Sequence, residues 1–181
     1  MKKTFILALI ATSAAIAIYL LFIKEPVFHA KGGYLTNLNG KGIILEGYDP
    51  VAYFTHNKPL KGDPGFTTEY NGAKYLFASA DHLDQFKKEP EKFVPQYGAF
   101  CGYAVSIGKL RPVDPAIFQI VNGRLILQHT KEAYGLFNQD LKGNIIKADN
   151  NWPGIVSAHL GKPVQYDKQA PSPTASTSSS K

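Results

Sequence analysis

The chain is poor in the residues that build soft-metal and disulfide chemistry. Its 181 residues include one Cys, one Met and one Trp, and the Met is Met1. A single thiol excludes an intrachain disulfide and any Cys-x-x-Cys metal or redox pair. No basic run exceeds two residues, so the formal charge of +6 forms no nucleic-acid stripe. A Gly-rich phosphate loop, a Ser-His-Asp arrangement and a nucleophile elbow are all missing, so nothing in the motifs supports an enzyme. What is present is apolar: 44% hydrophobic residues against 19% charged, with 10 Tyr and 11 Phe, enough for a packed core and too much for a disordered chain.

The ends differ from the middle. Lys2 and Lys3 precede an uncharged, almost wholly apolar stretch from Thr4 to Ile23. This is the pattern of an export signal, and its length also suits a membrane-spanning helix. No Cys follows the apolar run, so lipoprotein anchoring is excluded, and an uncleaved anchor is favoured over a cleaved signal. Residues 1–30 are therefore expected to be a signal peptide or membrane anchor. Positive charge on its N-terminal side places the rest outside the cytoplasm, periplasmic or at the cell surface and held in the inner membrane. Residues 167–181 end in Ser, Thr, Pro and Ala with nothing to bury, which predicts a disordered tail. A domain at 40–166 remains.

Turn and cap residues divide that domain. Ile43–Leu45 reads as an opening strand. Asp49 before Pro50 predicts a short helix through Phe54. Asn71-Gly72 and Asn122-Gly123 each suit a type I′ hairpin turn, between Phe66–Tyr70 and Ala73–Phe77 and between Ile117–Val121 and Leu125–Gln128. Ser79 and Thr130 cap helices carrying Leu83 and Phe86, and Tyr134 and Phe137. Glu91–Phe93 adds a turn, and a last helix over Asn144 to Asn151 is stopped by Pro153. No repeat of useful period is read. The expectation is an α+β domain with a small antiparallel sheet built from the two hairpins, several short helices, and one N-terminal transmembrane or signal helix.

Several of these segments together resemble a known family. Gly47-Tyr48-Asp49-Pro50-Val51-Ala52-Tyr53-Phe54, then Asn71 to Ser79, then Phe86 and Pro90-Glu91-Lys92-Phe93, are similar to the YHS domain. Gln96 to Val105, around Cys101, resembles an exported branch whose members carry one Cys, or selenocysteine, among aromatic and Gly residues. Asn122-Gly123 and Ala148 to Pro153 fit that branch, so the likeness covers Glu46 to Pro153. The resemblance implies a metal-binding module, with copper the favoured cofactor. Metal-binding relatives carry Cys after Asp-Pro-Val and in Phe-Cys-Ser-x-x-Cys. Here Ala52, Ala78 and His82 stand at those places, so their soft thiolate site is not reproduced.

Two residues are left to carry metal, Cys101 and His82. Cys101 between Gly98-Ala99 and Ala104-Val105 is expected near a helix N-terminus, where free N–H groups lower a thiol pKa; the bland alternative is a small buried hydrophobe. His82, four residues before Phe86, points partly inward, as a ligand or as a core imidazole on a carbonyl. His56 reads as a solvent-exposed loop residue, and His29, His129 and His159 lack a ligand-spaced companion. Asp49 is a helix cap before it is an acid or base. Tyr48, Tyr53, Tyr70, Tyr75, Tyr97 and Tyr103 line a pocket or fill the core, the latter preferred. The functional alternatives are a metal-binding module, a thiol redox protein, and a non-catalytic protein- or ligand-binding domain with a structural Cys. The membrane is a partner through the N-terminal helix, nucleic acid is not, and no protein partner is indicated.

Overall fold

A computed structural model describes residues 28–31, 34–160 and 163–164. The expected anchor over the apolar run and the expected tail at 167–181 lie outside the described residues. Among the described residues no helix is long and apolar enough to cross a membrane.

Strands β1 (Phe28–Lys31), β2 (Tyr34–Leu35) and β7 (Pro163–Val164) form one three-stranded antiparallel sheet, with β1 central. The helices and hairpins lie between. Helix α1 spans Pro50–Thr55, α2 Ala80–Lys88, α3 Pro90–Phe93, α4 Gly102–Ser106, α5 Lys131–Gln139 and α6 Leu141–His159. Strands β3 (Asp63–Tyr70) and β4 (Ala73–Phe77) make one hairpin, and β5 (Asp114–Val121) and β6 (Arg124–Gln128) the other. Both turn on Asn-Gly with positive φ at both residues (51° and 77°, 50° and 75°), the requirement of a type I′ turn. The fold is thus α+β, as expected, but the hairpins do not join into one sheet; each stays two-stranded and backs onto its own helices.

Two further expectations are corrected. Ile43–Leu45 is no strand: Ile44 and Ile43 make only isolated bridges to Leu38 and Lys74, and the chain then enters a tight turn at Leu45–Gly47. The last helix does not stop at Pro153 but runs through it to His159. Proline removes one helical hydrogen bond and crowds the preceding turn. Packing on both sides holds the helix together, with Ala148 and Trp152 before the proline and Ile155 and Val156 after it lying on the core.

The described chain also contains a structural repeat that the sequence does not advertise. From Asp63 to Asp114, from Asn71 to Asn122 and from Phe86 to Phe137 the displacement is 51 positions, and over the preceding turn and cap, from Leu45 to Tyr97 and from Asp49 to Cys101, it is 52. Strand register agrees: Asp63 pairs Phe77 and Thr67 pairs Leu76 across a bulge, and Asp114 pairs Gln128 and Phe118 pairs Leu127 across the same bulge. Ser79 Oγ accepts the N–H of His82, and Thr130 Oγ1 that of Ala133. Both helices end on an acidic residue in the same unusual conformation, Glu89 (φ −139°, ψ 62°) and Asp140 (φ −140°, ψ 66°). Before each hairpin a left-handed turn, with positive φ at Leu45, Glu46 and Gly47 and again at Tyr97, Gly98 and Ala99, leads into a short helix. Their caps are Asp49 and Cys101.

The two halves share one core. Phe86 is ringed by Tyr70, Tyr75 and Phe77 at centroid distances of 5.8, 4.7 and 5.1 Å, and the second half adds Leu125, Ile126, Leu127 and Phe137. Tyr53 crosses between them, stacking edge-on against Phe118 at 4.7 Å and donating its hydroxyl to the Pro115 carbonyl at 3.0 Å. Asn151 of α6 donates to the last carbonyls of α4, Val105 and Ser106, at 3.0 and 3.1 Å. On the surface, Arg124 grips Asp149 through two nitrogens at 2.6 and 3.0 Å and also holds Gln96. Those hydrogen bonds keep the Asp149 carboxyl below its usual pKa, against a smaller opposing effect of burial.

Two predictions follow from these contacts. At Gly98 (φ +58°) an added Cβ would sit 1.9 Å from the Leu35 carbonyl oxygen, while the Gly98 carbonyl accepts the Asn37 N–H at 2.8 Å. Gly98→Ala should cost at least about 2 kcal/mol in urea unfolding, from positive φ plus the clash; a loss near zero would show that the turn yields freely. Asp149 should stabilise the fold fully above the unfolded carboxylate value of about 3.9, and lose that contribution as pH falls below it. The melting-temperature gap between the wild type and Asp149→Asn should therefore close in acid. A gap that persists at low pH would rule this out.

Candidate functional site: an aspartate-held histidine and a buried thiol

Asp49 begins as a helix cap. Its Oδ1 accepts the N–H groups of Val51 and Ala52 at 2.8 and 3.3 Å, and Pro50 at the first helical position presets φ. The other oxygen reaches out of the helix. Oδ2 accepts the N–H of Ala78 at 2.8 Å, where β4 hands over to α2, and meets His82 Nδ1 at 2.5 Å. Asp49 is fully buried and His82 7% exposed. A carboxylate in such a place survives only because every lone pair it offers is answered.

The consequence for His82 is a fixed orientation. The carboxylate can only accept, so Nδ1 donates its hydrogen to Oδ2, and in the neutral ring this tautomer has its lone pair on Nε2. Nε2 points to the Thr55 hydroxyl at 3.4 Å, and the same hydroxyl meets His56 Nδ1 at 2.8 Å. The His56 and His82 rings lie 5.3 Å apart, centroid to centroid. Thr55 and His56 are exposed at the end of α1, so the pair joins one exposed imidazole, His56, to one buried imidazole, His82. Sequence reading picked out His82 and passed over His56. The missing signal was that α1 ends on His56 one ring-width from α2, a distance no linear spacing records.

Cys101 is placed elsewhere. It caps α4, as expected of a residue near a helix N-terminus, but it is 1% exposed and packs with Ala104 and Ala133. Its thiol donates to Gln128 Oε1 at 3.1 Å, and that oxygen also accepts the Tyr103 N–H at 3.0 Å. The expected lowering of the thiol pKa is reversed. Burial pushes it up, outweighing the backbone N–H groups of Ala104, His129 and Tyr103 and the Arg111 charge, which all favour the thiolate. Desolvation wins because burial removes the sulfur from water and so penalises its charged form. The thiol of Cys101 and the ring of His82 share no hydrogen-bond partner among those seen. Among the described residues no group of three or more His, Cys, Asp or Glu side chains is set to hold a metal.

The tyrosines divide as the sequence suggested. Tyr53, Tyr75 and Tyr97 are buried in the core. Tyr75 and Tyr97 also wall an open cleft of about 210 Å³ with Tyr34, Glu91 and Trp152.

The Asp49 contacts make a measurable demand on stability. Asp49→Ala would leave His82 without its buried partner and the first turn of α1 uncapped. Urea unfolding should show a loss of roughly 3–5 kcal/mol; a loss under about 1 kcal/mol would mean that the carboxylate is not what joins α1 to α2.

These elements can be set against known proteins. No curated protein and no solved structure matches the chain. A family model does, and the match begins at Val51 within α1 and ends at Tyr97 in the second left-handed turn. The span takes in His56, the first hairpin, α2 with His82, and α3. The model is that of the YHS domain, and residues 51–97 of this chain are similar to it.

Proposed function

We propose that the protein is an extracytoplasmic metal-binding module, held at the membrane by its N-terminal apolar run, whose metal-facing donor is His82 Nε2. The observation that carries the reading is the 2.5 Å contact between Asp49 and His82 Nδ1. A carboxylate behind a histidine fixes the tautomer, aims the free nitrogen and raises its basicity, which is the usual support of a ligating imidazole. His56 stands beside it as the second imidazole, with the Thr55 hydroxyl bridging the two nitrogens.

The donor set decides which metal fits. Two imidazoles and a hydroxyl do not make a closed tetrahedral zinc centre, which takes four protein ligands. They suit an open site for a cation that prefers imidazole and tops the divalent affinity order, and copper meets both conditions. Such a site binds with modest affinity and keeps positions free for exchange. Cys101 takes no part in it. The thiol faces Gln128 inside the second half, and burial holds it protonated.

Copper titration of the purified domain by calorimetry tests this. The wild type should bind one equivalent, and His82→Ala should lose it. His56→Ala should weaken it, and Cys101→Ser should leave it unchanged. Asp49→Asn should lower affinity about 10–100-fold, the usual cost of losing such a support, with the melting temperature read alongside to confirm folding. Undiminished binding by the His82→Ala, His56→Ala double variant would dismiss the site.

A further inference from the structure

The open cleft is built from residues that the His82 site does not use. Tyr34 of β2, Tyr75 of β4, Tyr97 of the second left-handed turn and Trp152 of α6 line it, with Glu91 of α3 among them. At about 210 Å³ it is smaller than the roughly 300–1,000 Å³ of a pocket for a drug-sized molecule. Its occupant is therefore small.

The walls carry one sign of charge. In a chain of formal charge +6, Glu91 is the one charged side chain among the described residues that line the cleft. Tyr70 donates its hydroxyl to Glu91 Oε1, and the carboxylate keeps lone pairs to spare. Arg124 is the neighbouring cation, 5.7 Å from the centre of the Tyr97 ring, and Asp149 answers its charge at 2.6 and 3.0 Å. The rings act in the same direction, because an aromatic face is electron-rich and attracts a cation. Tyr97 and Trp152 meet at 67° with centroids 5.9 Å apart, so they form a corner and not a flat stack. Tyr34 is 50% exposed, an aromatic side chain that the fold leaves half uncovered. Tyr75 is 3% exposed, yet its hydroxyl meets no hydrogen-bond partner among the described residues.

These groups select among cations. A metal ion takes several oxygen or nitrogen donors, and the cleft offers one carboxylate. A primary ammonium brings three N–H donors and a firmly held hydration shell. Acceptors for it are few, since Gln96, also on the lining, already gives its side-chain oxygen to two Arg124 nitrogens at 2.8 and 3.0 Å. A methylated ammonium has no N–H groups to satisfy, and its methyl groups pack on aromatic faces while the charge is felt through them.

We propose that the cleft binds a small methylated ammonium ion, held against the rings of Tyr34, Tyr97 and Trp152 and balanced by the Glu91 carboxylate. This inference does not depend on metal binding at His82.

The test uses the full chain in a maltoside detergent, freed of metal by chelation. Trp152 is the chain's single Trp and lines the cleft, so its fluorescence reports occupancy directly. Choline chloride should change that emission saturably, where sodium chloride at equal ionic strength does not. The uncharged carbon analogue 3,3-dimethylbutan-1-ol should bind at least about tenfold more weakly, because it has the shape without the charge. Tyr34→Ala should weaken choline binding several-fold and Tyr34→Phe should restore it. Glu91→Gln should weaken it about tenfold, with melting temperatures read alongside to confirm folding. Four results overturn the proposal: no saturable change with choline, equal binding of the uncharged analogue, equal binding of n-butylammonium, or undiminished binding by the Tyr34→Ala, Glu91→Gln double variant.

Discussion

Four groups from three parts of the chain converge on the carboxylate of Asp49. It satisfies the first turn of α1, pins the strand-to-helix junction at Ala78, and sets the ring of His82. Unpaired, a charge this deeply buried would cost several kcal/mol. With every oxygen lone pair engaged, the same charge becomes a constraint, since α1, β4 and α2 can take only the arrangement that feeds it. The placement of buried His82 beside exposed His56 follows from that constraint. An imidazole whose Nδ1 is held by Asp49 turns its Nε2 toward the Thr55 hydroxyl, and the helix end that carries His56 is positioned by the same cap.

The second half solves the same geometric problem with different chemistry. Its left-handed turn, short helix, bulged hairpin and capped helix reproduce the first half element by element. Yet the charge at the convergence point has gone. A thiol replaces the carboxylate, an alanine replaces the histidine, and a glutamine amide enters from the strand. The fold tolerates this because backbone geometry, not the central side chain, dictates the turn and hairpin register. The first half keeps a buried carboxylate–imidazole pair and the second a buried thiol–amide pair.

Cys101 shows why a local rule can point the wrong way. Its position at a helix N-terminus was readable from flanking small residues, and that position does supply N–H donors. The sign of the pKa shift, however, depends on how much water remains. Residues far along the chain, Gln128 and Ala133, close the pocket and remove it. The dipole of so short a helix is the smaller effect.

Much was legible in the sequence because it rests on residues that act within a few positions of themselves. Asp49-Pro50, Ser79 and Thr130 as caps, and the two Asn-Gly turns, determine where helices and hairpins begin, since cap and turn energies depend on backbone hydrogen bonds three residues away. Those signals suffice for an α+β class. The repeat was hidden because it is conserved in conformation far more than in identity, with Asp63, Pro64, Asn71, Gly72, Leu76 and Phe86 matched by Asp114, Pro115, Asn122, Gly123, Leu127 and Phe137 and little else alike. The passage of α6 through Pro153, the separation of the two hairpins, and the meeting of Asp49, Thr55, His56 and His82 were decided only by tertiary packing. Each depends on contacts between residues distant in sequence, and burial there sets the stability of the contact.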